Sequence, residues 1–185
     1  MTATLTWAAG ADGLVCEAQL QASPNCDPRP RGERIDLVVL HFISVPAGSF
    51  GGPGILDLFG NRLDPLLYPE LARLRVSAHF LIRRDGRLIQ FVPCAMRAWH
   101  AGASRWNGRE RCNDFSIGIE LEGCPDRSFE EAQYLKLSAL LMLLRSRYPI
   151  RDVVGHEHVA PGRKDDPGPC FDWPRIGGIL FADGV

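Results

Sequence analysis

The chain has 185 residues, 45% of them hydrophobic and 23% charged, with a formal net charge of −1. This is the make-up of a soluble protein with one sizeable core, read here as a single domain over 1–185. The near-neutral charge offers nothing to a polyanion such as nucleic acid, and no apolar run is long enough to span a membrane.

Residues 1–33 are rich in Ala, Gly, Pro and Arg and show no period. The stretch Met1 to Gly13 has no basic start and no long apolar run, so it does not read as a signal peptide and the expected location is cytoplasmic. The six cysteines, Cys16, Cys26, Cys94, Cys112, Cys124 and Cys170, form no Cys-x-x-Cys pair and are expected as free thiols. Ser23-Pro24-Asn25 and Asp27-Pro28-Arg29-Pro30 are loop signals. Ile35 to Leu40 reads as a buried strand that delivers His41 at its C-terminal end. Residues 46–69 are long for a loop, which predicts a functional segment or a helical turn at Leu56 to Phe59. Ala78 to Ile82 and Arg87 to Val92 flank Arg83-Arg84-Asp85-Gly86, a hairpin signal.

Ser116 to Leu121 reads as a further strand, ending at Glu120, Leu121 and Glu122. Ser128 with Glu131 three residues on predicts a capping box. The helix it opens carries Tyr134, Leu137, Leu141 and Leu144 at helical spacing and closes at Tyr148-Pro149. Val153 and Val154 suggest a last strand ending at Gly155-His156, and Asp172 to Leu180 a short helix. Hairpins mixed with crossovers predict an α/β fold with a mixed central sheet flanked by helices.

His41 and His156 both follow apolar, strand-like segments, and strand ends converge on one edge of a sheet. The run from Ala160 to Pro169 is dense in turn formers, which would fix the aim of Lys164 and Asp166. Two histidines and a carboxylate would leave zinc a fourth position for water, the mark of a catalytic site. Spacing alone leaves His158, His79 and His100 open as rival ligands; His156 and His158 would share one face of a strand. Glu120 and Glu122 share a strand face, and a carboxylate pair also fits glycosidase chemistry.

Five ordered blocks resemble the cytoplasmic 1,6-anhydro-N-acetylmuramyl-L-alanine amidases. They are Val38-Val39-Leu40-His41-Phe42-Ile43-Ser44 with Gly51-Gly52-Pro53; Val76-Ser77-Ala78-His79-Phe80-Leu81-Ile82 with Asp85-Gly86; Arg97-Ala98-Trp99-His100-Ala101-Gly102; Arg109 to Gly123; and Gly155-His156 with Ala160 to Pro169. They cover roughly residues 24–176. The wider group includes phage lysozyme-like amidases and the peptidoglycan recognition proteins. The resemblance implies a mixed sheet with one zinc ion at one end, held by His41, His156 and Asp166. It implies Glu120 as the catalytic acid–base and Lys164 as the catalytic lysine. Arg111 and Ala98 match positions lining the substrate groove, with His100 beside them. Phe42 stands where relatives often carry Asn, and His158 where Asp or Asn is usual.

The expected activity is zinc-dependent hydrolysis of the amide between (anhydro-)N-acetylmuramic acid and the L-alanine of muropeptides, in peptidoglycan recycling. The expected partner is the muropeptide, and the expected state a monomer. The rival readings are a peptidoglycan-binding module without catalysis and an autolysin acting on intact wall.

Overall fold

A computed structural model describes residues 4–10 and 12–180. Among the described residues ten strands occur in chain order: β1 (Gln19–Leu20), β2 (Cys26–Pro28), β3 (Leu37–Ile43), β4 (Phe80–Ile82), β5 (Leu88–Gln90), β6 (Met96–Ala98), β7 (Arg105–Trp106), β8 (Arg109–Glu110), β9 (Ser116–Glu122) and β10 (Asp152–Gly155). The helices are α1 (Gly54–Phe59), α2 (Glu131–Arg145), α3 (His156–Val159) and α4 (Pro174–Leu180). Six strands form one sheet in the order β1-β5-β4-β9-β3-β10. The β4–β5 pair is antiparallel and every other neighbouring pair is parallel, so the sheet is mixed, as expected. Antiparallel ribbons β2/β6 and β7/β8 lie outside it.

Alternation along the central strands assigns the two faces. Val38 and Leu40 of β3, Ile117, Ile119 and Leu121 of β9, and Phe80 and Ile82 of β4 form one buried cluster with Tyr134, Leu137, Leu141 and Leu144 of α2. Successive strand side chains point to opposite faces. The residues between them, including His41 on β3 and Ser116, Gly118 and Glu120 on β9, therefore share the other face. The β3/β9 register sets His41 beside Glu120.

Several local expectations need correction. The strand read as 35–40 spans Leu37–Ile43, so His41 lies within it. The capping box is not Ser128 with Glu131. Phe129 is buried against Tyr134 and Phe171, which keeps the chain extended up to Glu130. The main-chain N–H of Glu130 donates to Gln133 Oε1 at 3.0 Å, and α2 starts at Glu131. The N-terminal stretch is not all loop, since β1 extends the sheet edge and β2 pairs with β6. The Arg83–Gly86 hairpin, the turn within α1 and the tail helix are present. Among the described residues all six cysteines are free thiols, and no helix is long and apolar enough to cross a membrane.

Candidate metal centre and active site

Three elements converge on one point. His41 comes from β3, His156 opens α3 at the end of β10, and Asp166 sits in the loop that follows. That loop is tied down where it meets α3. The Glu157 N–H donates to the main-chain oxygen of Asp166 at 2.9 Å. Gly155 permits the close packing, because a Cβ there would lie 2.6 Å from Pro167 Cδ.

His41 Nδ1 lies 3.0 Å from His156 Nδ1 and 2.9 Å from Asp166 Oδ2, and His156 Nδ1 lies 3.2 Å from Asp166 Oδ2. A tetrahedron around zinc with bonds of about 2.0–2.1 Å has edges of about 3.3 Å, so the triangle is nearly that of three ligands. His156 Nε2–H donates to the Ala101 carbonyl at 3.1 Å, which leaves its Nδ1 lone pair facing the other two donors. All three residues are buried. Lone pairs converging in a buried site repel one another, and a cation satisfies them. The donor set therefore fits a metal ion.

Electrostatics agree. Burial, only partly offset by the hydrogen bond that a protonated Nδ1 would give Asp166, brings His41 from its ordinary 6.5 down to about 4. Burial pushes the Asp166 carboxyl up, but the hydrogen bonds it would accept from His156 and His41, once their Nδ1 atoms carry protons, outweigh that and hold it below the usual carboxylate range. Glu120 is raised well above its ordinary value, first by burial and then by the Asp166 charge, with Lys164 opposing. Its Oε2 is buried and takes no hydrogen bond from the described residues.

These groups line one cavity of about 290 Å³, together with Phe42, Ile43, Leu58, Phe59, Trp99 and His100. Lys164 is exposed at its mouth, and Phe42 gives the wall an apolar surface. Ala98 and Arg111, expected along the substrate groove, are not among the residues lining this cavity. Ala98 is buried in β6 opposite Cys26. Arg111 is exposed, holds a left-handed φ of 62° and pairs with Asp114 at 3.1 Å.

Two rivals drop out. His158 is not on a strand face with His156, because both lie on the helical turn α3, where residues two apart point apart. Its Nδ1 accepts the Gly155 N–H at 2.8 Å and its ring packs on Trp173. Glu122 is no partner for Glu120 in glycosidase chemistry. It is buried, paired with Arg83 at 2.5 Å, and accepts the Gly51 N–H at 2.7 Å. Breaking such a pair costs about 3–5 kcal/mol, so its role lies in stability.

Sequence reasoning missed three scaffold residues. Arg29, on the segment expected as a loop, donates to the carbonyls of Cys94, Asn113, Asp114 and Ser116. Asn113 Oδ1 accepts the N–H groups of His100 and Ala101, and Arg163 donates to the carbonyls of Ala101 and Ala103. Nothing in local patterning marks these long-range contacts.

A pH dependence follows. Burial, the largest cause in each case, also lowers His79 and His100. The unfolded chain takes up protons near 6.5 at these three histidines, whereas the folded chain does not until far lower pH. Their contribution is complete above about 6.5 and is lost as pH falls below it; Glu120, raised, works in the opposite sense. Thermal melts of chelated protein should give a lower Tm at about pH 5 than at about pH 7.5. An unchanged Tm would show that these rings are not held neutral.

The N-acetylmuramoyl-L-alanine amidase family matches residues 31–169. The 1,6-anhydro-N-acetylmuramyl-L-alanine amidase AmpD of Salmonella typhimurium is 53% identical over 91% of this chain and 92% of its own length. A crystal structure of a selenomethionine derivative of AmpD superposes with a TM-score of 0.88 at 50% identity, covering 92% of this chain and 98% of that one. The amidase AmiD of Escherichia coli, solved in complex with anhydro-N-acetylmuramic acid-L-Ala-D-γ-Glu-L-Lys, superposes with a TM-score of 0.64 at 32% identity, over 82% of this chain and 60% of that one. Sequence and fold agree over most of the chain, and this protein belongs to the N-acetylmuramoyl-L-alanine amidase family.

Proposed function

We propose that this chain is a zinc-dependent amidase that hydrolyses the bond between the lactyl carbonyl of 1,6-anhydro-N-acetylmuramic acid and the L-alanine of its peptide, in peptidoglycan recycling. The observation that carries the reading is the buried His41–His156–Asp166 triangle with Glu120 beside it, whose buried Oε2 takes no hydrogen bond from the described residues. His41, His156 and Asp166 would hold the ion. Zinc, when bound, supplies a Lewis acid and a water whose pKa falls to about 7.

The protein's own groups do the rest. Glu120 takes a proton from the attacking water and passes it to the leaving amine of L-alanine. Lys164 sets a positive charge at the cavity mouth, where the attacked carbonyl oxygen gains negative charge. Phe42, Leu58 and Phe59 keep one wall of the cavity apolar. Arg111, exposed beyond it, offers a fork for a peptide carboxylate.

Incubation of zinc-loaded protein with an anhydromuropeptide should release a peptide with a free L-alanine amino group. Chelation should stop the release and added zinc restore it. Equal activity in metal-free protein would end the reading. Loss of one oxyanion donor costs about 3 kcal/mol in the barrier. Lys164→Ala is therefore expected to lower kcat strongly while KM stays within a few-fold, the pattern of an interaction made in the transition state. A near-normal kcat with a lowered Tm would make Lys164 a loop-holding residue instead.

A further inference from the structure

His100 was expected to face the substrate, yet both of its ring nitrogens are engaged by the protein. Its Nε2 lies 3.2 Å from Ser116 Oγ, and its Nδ1 lies 3.0 Å from His41 Nε2. The direction of these bonds follows from one proton. The Ser116 hydroxyl has a single hydrogen, and it donates that hydrogen to the Cys112 carbonyl at 2.6 Å. Towards His100, Ser116 Oγ is therefore an acceptor, and His100 carries its proton on Nε2. A neutral imidazole has one N–H, so His100 Nδ1 is left as an acceptor. It receives the N–H of His41 Nε2, and His41 Nδ1 keeps its lone pair directed at His156 and Asp166.

The ring of His100 is also seated for this. A Cβ at Gly118 would lie 2.4 Å from His100 Cγ, so the absence of a side chain there admits the ring. The Asn113 side chain holds the main-chain N–H of His100 at 3.2 Å. The alternation along β9 thus places three functions on one face: Ser116 as anchor, Gly118 as seat, Glu120 as proton carrier.

We infer that Ser116 and His100 form a positioning relay, running from the Cys112 carbonyl to His41, that fixes the His41 tautomer and so primes His41 Nδ1 as a metal ligand. His156 achieves the same with a main-chain carbonyl. His41 uses a second histidine, whose own tautomer is set one step further out. This inference rests on the metal-centre reading above. It makes His100 and Ser116 determinants of metal affinity rather than groups that touch the substrate.

The test is zinc affinity by competition with a chromophoric chelator, together with nitrogen-15 NMR of the histidine rings in metal-free protein. Loss of a partner behind a metal ligand typically weakens binding by about 10–100-fold. His100→Phe keeps a ring but offers no acceptor, and should weaken zinc by that amount. His100→Asn restores an acceptor near the Nδ1 position and should recover most of the affinity. Ser116→Ala removes the anchor, and should shift His41 in metal-free protein from the Nε2-protonated form to a mixture of tautomers. Unchanged affinity in folded His100→Phe, or an unchanged His41 tautomer in Ser116→Ala, would overturn the relay. If His100→Phe does not fold, the Ser116→Ala spectrum decides alone. A wild-type chain that binds no zinc at all would instead sink the metal centre itself, a result recognisable before any variant is made.

Discussion

Glu120→Gln keeps its metal and loses about a hundredfold to ten-thousandfold of kcat, the usual weight of a positioned acid–base group. The substitution preserves size and removes the titratable oxygen. Glu120 lies beside His41 in the strand register, buried, with Oε2 taking no hydrogen bond from the described residues and the carboxyl raised above its ordinary range. It is not one of the three converging ligand atoms, so metal content stays near one per chain. The control is Glu122→Gln, two residues along the same strand. Glu122 is held by Arg83 and by main-chain N–H groups, so its loss should appear as a lower Tm and leave kcat of the folded fraction nearly intact. Metal assays and steady-state kinetics on both variants decide. Equal loss of kcat in the two would remove Glu120 from its role.

Asp166→Ala should lose most of its metal and, with it, nearly all activity. Asp166 supplies the anionic member of the triangle, and two neutral imidazoles alone bind zinc far less tightly. Its main-chain oxygen still accepts the Glu157 N–H, so the loop keeps its anchor to α3. The defect should therefore be in metal affinity and not in folding. Metal analysis after dialysis, beside a melting curve taken without metal, checks this. A fully metallated and active Asp166→Ala protein would contradict the ligand assignment.

Much of this was legible in the sequence because it is local. The apolar run Ile35 to Leu40, the strand-like run Ser116 to Leu121, the helical spacing from Tyr134 to Leu144 and the Asp85-Gly86 turn each carry their own pattern or turn chemistry. The ordered blocks brought His41, Glu120, His156, Lys164 and Asp166 into one reading, and the fold brings those five to one cavity. What was not legible depends on the third dimension. β1 and β2 are two and three residues long, too short to show alternation. The change from strand to helical turn at His156 turns His158 away, and no spacing rule shows that. His100 lies 59 residues from His41 in sequence, and whether its ring meets substrate or ligand is decided by the space above Gly118. Glu122 read as a possible partner of Glu120 because the two share a face, whereas Arg83 from the neighbouring hairpin claims it.

Zinc-loaded protein should be given a purified anhydromuropeptide in heavy-oxygen water, and the products weighed by mass spectrometry. Hydrolysis at the lactyl carbonyl predicts anhydro-N-acetylmuramic acid carrying one heavy oxygen in its new carboxyl group, and an unlabelled peptide beginning with L-alanine. An intact substrate, a label found in the peptide, or cleavage at a sugar–sugar or peptide–peptide bond would contradict the account.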